Sequence, residues 1–120
     1  MSFRFQDWKV YQDAREIRRE IKQEVLPRIE KTDKYELGAQ LKRALDSIIL
    51  NIAEGAYRQT DKDFAHFLNQ AHTSLNEVVA CLDLCYDDGY ITDEELKSFT
   101  DKSENLARQL SSFAQSLRKA

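Results

Sequence analysis

Apolar side chains recur along this chain at intervals of three and four residues, the period that gathers them on one face of an α-helix. From about Phe5 to Leu26 the series runs Trp8, Tyr11, Ala14, Ile17, Ile21 and Val25. Pro27 follows; it lacks an amide donor and clashes with a preceding turn, so it is expected to end or bend the first helix. RIEKTDKY reads as a connection in which Thr32 or Asp33 caps what comes next. The second helix is expected over Lys34 to Glu54, with Leu37, Leu41, Leu45, Ile48 and Ile52 in one stripe and Gly55 as a left-handed C-terminal cap. AYRQ makes a short turn, and Thr60 or Asp61 starts a third helix. Its broad apolar face comprises Phe64, Phe67, Leu68, Ala71, Leu75, Val78, Val79, Leu82 and Tyr86. DDGY closes that helix. Thr92 and Glu95 have the spacing of a capping box, and Leu96, Phe99, Leu106, Leu110, Phe113 and Leu117 carry a fourth helix nearly to the last residue.

Four two-faced helices with short connections predict an all-α fold, an antiparallel up-and-down four-helix bundle occupying residues 1–120 as a single domain. With 42% hydrophobic and 32% charged residues the chain is not expected to be disordered, and its three Gly and one Pro lack the punctuation of a many-stranded fold. No apolar stretch is long enough to span a bilayer, and MSFRFQDW lacks the apolar run of a signal peptide. Cys81 and Cys85 lie four apart in a helical pattern, without the spacing of a zinc site. Free thiols in a reducing compartment, hence a cytoplasmic protein, are the expectation.

Charge alters this picture locally. The net charge of −3 opposes indiscriminate nucleic-acid binding, yet residues 1–58 carry 12 Lys or Arg against 10 Asp or Glu, while residues 59–120 carry 6 against 11. Arg15, Arg18, Arg19 and Lys22 form a cationic stripe on the first helix, with Lys42, Arg43, Arg58 and Lys62 as additions; the stripe together with Lys42 and Arg43 is the candidate for RNA or DNA binding. Glu16, Glu20 and Glu24 interleave with them and dilute the field. On the second helix Gln40, Arg43, Ser47, Asn51 and Glu54 follow spacings of three and four, placing a polar seam beside the apolar stripe. Such a seam is either a solvated edge or a surface for another chain. Gln40, Arg43, Asn51, Glu54 and the following Arg58 are the candidate interface residues.

Chemistry finds little footing. His66 and His72 are six apart and point about 120 degrees from one another on a helix, which is not the common face of an HExxH zinc site. DDGYITDEEL resembles the end of a calcium loop, but with Gly89 sixth and Glu95 twelfth the first and third positions fall on Leu84 and Tyr86, which offer no suitable oxygen. Ser47 and Ser74 have no local histidine and carboxylate to define a triad, and there is no phosphate-binding glycine loop. No catalytic, cofactor or metal site is expected, and the chain reads as a non-enzyme; a hydrolase assembled between helices is the weakest alternative.

The segment QLKRALDSIILNIAEGAYRQTDKDFAHFLNQAHTSLNE, residues 40–77, resembles the 23S rRNA intervening-sequence protein family in its Q-L-x-R-A…S-I…N-I-A-E-G…R…F…F-L…A…S…E pattern. The matching positions are Gln40, Leu41, Arg43, Ala44, Ser47, Ile48, Asn51, Ile52, Ala53, Glu54, Gly55, Arg58, Phe64, Phe67, Leu68, Ala71, Ser74 and Glu77. Trp8, Pro27 and the helix spacing extend the likeness to most of the chain. This resemblance implies a four-helix bundle that assembles as a ring-like homopentamer. A more distant likeness is to accessory variability determinant proteins of diversity-generating retroelements, whose relatives associate with a reverse transcriptase and nucleic acid. Together they imply a noncatalytic homo-oligomeric scaffold or partner-binding protein, with nucleic-acid binding as the alternative.

Overall fold

The computed structural model describes residues 3–119, and four helices dominate them: α1 (Lys9–Glu24), α2 (Leu37–Gly55), α3 (Asp61–Asp87) and α4 (Asp93–Lys119). No strand occurs among the described residues. Each helix packs on the next, and α1 closes the bundle by lying against both α2 and α4. The up-and-down order is visible at both ends. At one end Trp8 stacks on Phe64 with ring centroids 5.6 Å apart, and Phe113 meets both rings edge-on, joining the start of α1, the start of α3 and the end of α4. At the other end Arg28 donates to Glu95 at 2.8 Å and the Tyr90 hydroxyl donates to Asp33 at 2.5 Å.

The expected stripes form one core. Ile21, Leu41, Leu45, Ile48, Ile52, Leu68, Leu75, Leu82, Leu106 and Leu110 are all fully buried, so every helix contributes its apolar face. Two polar residues are buried with them, and each is satisfied: Ser103 donates to the Phe99 carbonyl at 2.8 Å, and Ser74 shares a 2.8 Å hydrogen bond with Ser47. That pairing avoids the cost of a buried, unpartnered hydroxyl. Tyr86 departs from the expected face of the third helix. It is 41% exposed, because the buried stripe of Leu75, Val78 and Leu82 continues to Cys85, at 0%, rather than to Tyr86.

Helix ends differ from the sequence expectation wherever a distant group intervenes. The first helix begins at Lys9 rather than Phe5: Trp8 is extended, and Arg4–Asp7 forms a separate 3₁₀ turn whose Phe5 ring packs on Tyr11. Pro27 acts as expected, lying in a 3₁₀ turn, Leu26–Arg28, just past α1. The second helix starts at Leu37 rather than Lys34, and neither Thr32 nor Asp33 caps it; Asp33–Tyr35 is a 3₁₀ turn and the Asp33 carboxylate is taken by Tyr90. Gly55 is not a left-handed cap. It is the last helical residue of α2, buried under Phe64 and Phe67, and Gly89 is the one glycine with positive φ, at 83°. At that position the Tyr90 amide donates to the Cys85 carbonyl at 2.8 Å and the Gly89 amide to Tyr86 at 3.0 Å, the bonding pattern of a Schellman cap.

Local caps follow the sequence. Thr60 accepts from the Asp63 amide at 3.1 Å, and Thr92 and Glu95 exchange amide bonds of 3.1 and 3.0 Å at the start of α4. The Arg28 guanidinium, together with the Thr92 amide, holds the Glu95 carboxyl down at about 2 from an ordinary value of 4.5. A depressed carboxylate contributes stability above its unfolded pKa and loses it as pH falls toward the folded value. Wild-type stability is therefore expected to decline as pH drops from 4.5 toward 2, and Glu95→Gln should flatten that part of the profile in pH-dependent urea unfolding. Thr92→Ala should lose about 1 kcal/mol at neutral pH. Profiles that coincide for wild type and Glu95→Gln would reject this linkage.

Candidate interaction surface

The cationic stripe of α1 has a partner wall. Arg15, Arg18, Arg19, Lys22 and Gln23 line one side of an open cleft of about 750 Å³, and Asp46, Ile49 and Leu50 of α2 line the other. Spacings of three and four put the four cations on one strip of α1. Arg18 bridges the cleft, donating to Asp46 at 2.7 Å, and Asp46 also accepts from Lys42 at 3.1 Å. Burial works to raise the Asp46 pKa, but the bonds from Arg18 and Lys42 outweigh it and the carboxyl sits below its ordinary range. Arg19 pairs with Glu16, whereas Arg15 and Lys22 make no ion pair among the described residues.

Of the interleaved acids, Glu16 offsets Arg19 directly, whereas Glu20 is drawn away from the strip. Glu20 turns to α4 and accepts from Lys102 at 2.7 Å, and Asp13 likewise accepts from Gln109 at 2.7 Å. Glu20 and Asp13 thus tie α1 to α4 on one flank, while the cations line the cleft on the other. Lys42 and Arg43, expected as additions to the cationic group, lie outside the lining.

The polar seam of α2 divides into two parts. Ser47 and Asn51 turn toward α3: Asn51 donates to the Ser47 carbonyl at 2.8 Å and to its hydroxyl at 3.0 Å, and that hydroxyl bonds Ser74. Gln40, Arg43 and Glu54 are exposed. Glu54 accepts from Arg58 at 2.9 Å, and the Arg58 guanidinium lies 4.3 Å from the Phe67 ring centre, a cation–π contact. Arg43 and Glu54 share their strip with Leu50, seven residues after Arg43 and four before Glu54.

Leu50 is the residue that sequence reasoning missed. It is 65% exposed in the last third of α2, at the edge of a cationic cleft. Its signal was present but masked: within Ile48, Ile49 and Leu50 the buried stripe claims only the first, and Leu50 falls two positions outside it.

Other reactive side chains are enclosed or dispersed. Cys81 and Cys85 are free and buried, and burial pushes the Cys85 thiol up to about 11, away from nucleophilic thiolate character. His66 lies within 3.2 Å of Gln70 on an exposed face, while His72 is beside Arg108 of α4. No described helix is long and apolar enough to cross a membrane.

Fold and surface together define a helical-bundle protein distinguished by an external cationic cleft. The chain belongs to the 23S rRNA-intervening sequence protein family, whose profile matches residues 6–112. It is similar to a solved Bacteroides thetaiotaomicron protein of unknown function from the S23 ribosomal protein family, at 26% identity and a TM-score of 0.78, over 88% of this chain and 97% of that one. No curated protein matches the chain significantly in sequence.

Proposed function

We propose that this protein is a noncatalytic homo-oligomeric scaffold or partner-binding protein of a reducing, cytoplasmic compartment. The observation that carries the reading is Leu50: a large apolar side chain, 65% exposed, which with the partly buried Ile49 lines a cationic cleft, on a helix whose Leu41, Leu45, Ile48 and Ile52 are buried. Exposed apolar surface ringed by charge is the anatomy of a macromolecular interface. The noncatalytic element rests on Ser47 and Ser74 bonding each other, and on thiols held protonated by burial. A ring of five is the assembly that the family resemblance favours.

Native mass spectrometry and sedimentation across a concentration series test this directly. A species several times heavier than the 14.0 kDa chain is expected. A concentration-independent monomer at micromolar concentration would overturn the reading.

RNA or DNA binding is the second reading, favoured by the convergence of Arg15, Arg18, Arg19 and Lys22 on one cleft. Titration with structured RNA and duplex DNA should then show affinity falling linearly with salt on logarithmic axes, weakened by Lys22→Glu. Salt-insensitive or absent binding removes this alternative.

A further inference from the structure

We infer that the cationic cleft between α1 and α2 receives the outer face of α3 from a second copy of this chain, so that Leu50 of one protomer meets Leu84 of the next. The inference rests on the homo-oligomeric reading above and specifies which surfaces make the contact.

Its basis is a match between two patches of opposite sign. Leu84 is 49% exposed near the end of α3, and Glu77, Asp87 and Asp88 lie seven residues before, three after and four after it, on the same helical strip. Asp83 flanks them, and all four carboxylates are exposed. None forms an ion pair among the described residues. On the cleft side Arg15 and Lys22 are also without an ion pair there, and they surround a second exposed leucine. Each patch therefore has an exposed leucine and rim charges without an ion pair among the described residues, Arg15 and Lys22 on the cleft and four carboxylates on α3, and these are opposite in sign.

Like patches repel. A two-fold dimer joining cleft to cleft sets Arg15 and Lys22 against their own copies, and one joining α3 to α3 sets carboxylate against carboxylate; juxtaposed like charges oppose both pairings. Pairing the cleft of one copy with the α3 face of another instead sets opposite signs together while covering both leucines. The shape also suits a helix. An open cleft of about 750 Å³ between two helices can take side chains projecting at three- and four-residue intervals from a third. Nucleic acid would satisfy the cations but has no complementary use for Leu50 or Leu84, since bases stack on aromatic faces rather than on leucine.

Where the contact is head-to-tail, each added copy uses its cleft or its α3 face and leaves the other free, so the assembly extends unless the rotation between copies closes it into a ring.

Charge reversal tests the pairing. Arg15→Glu with Lys22→Glu alters the cleft; Asp87→Lys with Asp88→Lys alters the α3 face; a third chain carries all four changes. Circular dichroism establishes that each folds, and the neutral pair Arg15→Gln with Lys22→Gln provides a milder series. Sedimentation velocity should show each two-site reversal weakening self-association by about 10- to 100-fold, with the four-site chain recovering most of it because both rims have changed sign. A four-site chain that folds yet remains dissociated would overturn the pairing. Wild-type assembly left intact by both reversals would also overturn it while leaving the scaffold reading standing. A monomeric wild type would instead remove the scaffold reading itself. Loss of RNA binding on cleft reversal, with assembly unchanged, would reassign the cleft to phosphate and reject the inferred contact.

Discussion

Leu75→Ala and Ile48→Ala are each expected to lower the free energy of unfolding by about 2 to 5 kcal/mol, measured by urea or thermal denaturation. Both side chains are 1% exposed at the middle of the bundle. The cost combines lost transfer of methyl and methylene groups out of water with the void left behind, and the void term depends on how far the neighbours can collapse. Here collapse is restrained. Ser47 and Ser74, the residues immediately before Ile48 and Leu75, hold α2 and α3 together through their 2.8 Å hydrogen bond at this level. Moving the helices inward to fill the void would strain that bond, so values in the upper half of the range are expected. Ser74→Ala combined with Leu75→Ala should cost less than the sum of the two single changes, because it releases the restraint. Losses below about 0.5 kcal/mol at both Ile48 and Leu75 would reject their central place in the core.

What could be read from the chain depended on how far apart the responsible groups lie. The four helices were legible because a period of three and four is repeated within each segment. The Thr60 cap and the Thr92–Glu95 box were legible because donor and acceptor lie three residues apart. Asp33 looked like a cap for the same local reason, but Tyr90, 57 residues away, takes its carboxylate. The cleft shows the same division. Its α1 cations stood out as a stripe, whereas the facing wall of Ile49 and Leu50 became evident only when α2 was laid beside them. The polar seam was sound as a strip of α2. Its inward turn at Ser47 and Asn51 depended on Ser74, which local sequence does not bring near.

Gly55 separates local from tertiary causes most sharply, and its replacement is expected to be costly for a reason unrelated to backbone freedom. A Cβ at this position would lie 2.7 Å from the Cβ of Phe67 and 3.0 Å from Cδ1 of Phe64. The first of these atoms is fixed to the α3 backbone and cannot swing aside. The second belongs to a ring stacked on Trp8 and packed against Phe113, so displacing it disturbs the aromatic cluster at that end. Overpacking of this kind costs about 1 to 3 kcal/mol, while alanine returns at most about 1 kcal/mol through its better helix propensity. Gly55→Ala should therefore still be destabilising, and Gly55→Leu should lose about 3 kcal/mol. Asparagine distinguishes the two causes. A left-handed cap tolerates Asn better than Ala, whereas a close approach of α2 to α3 tolerates the smaller Ala better than Asn. Thermal unfolding should rank stability as Gly, then Ala, then Asn, then Leu. An Asn variant as stable as wild type beside a weakened Ala variant would restore the left-handed cap and remove the steric explanation.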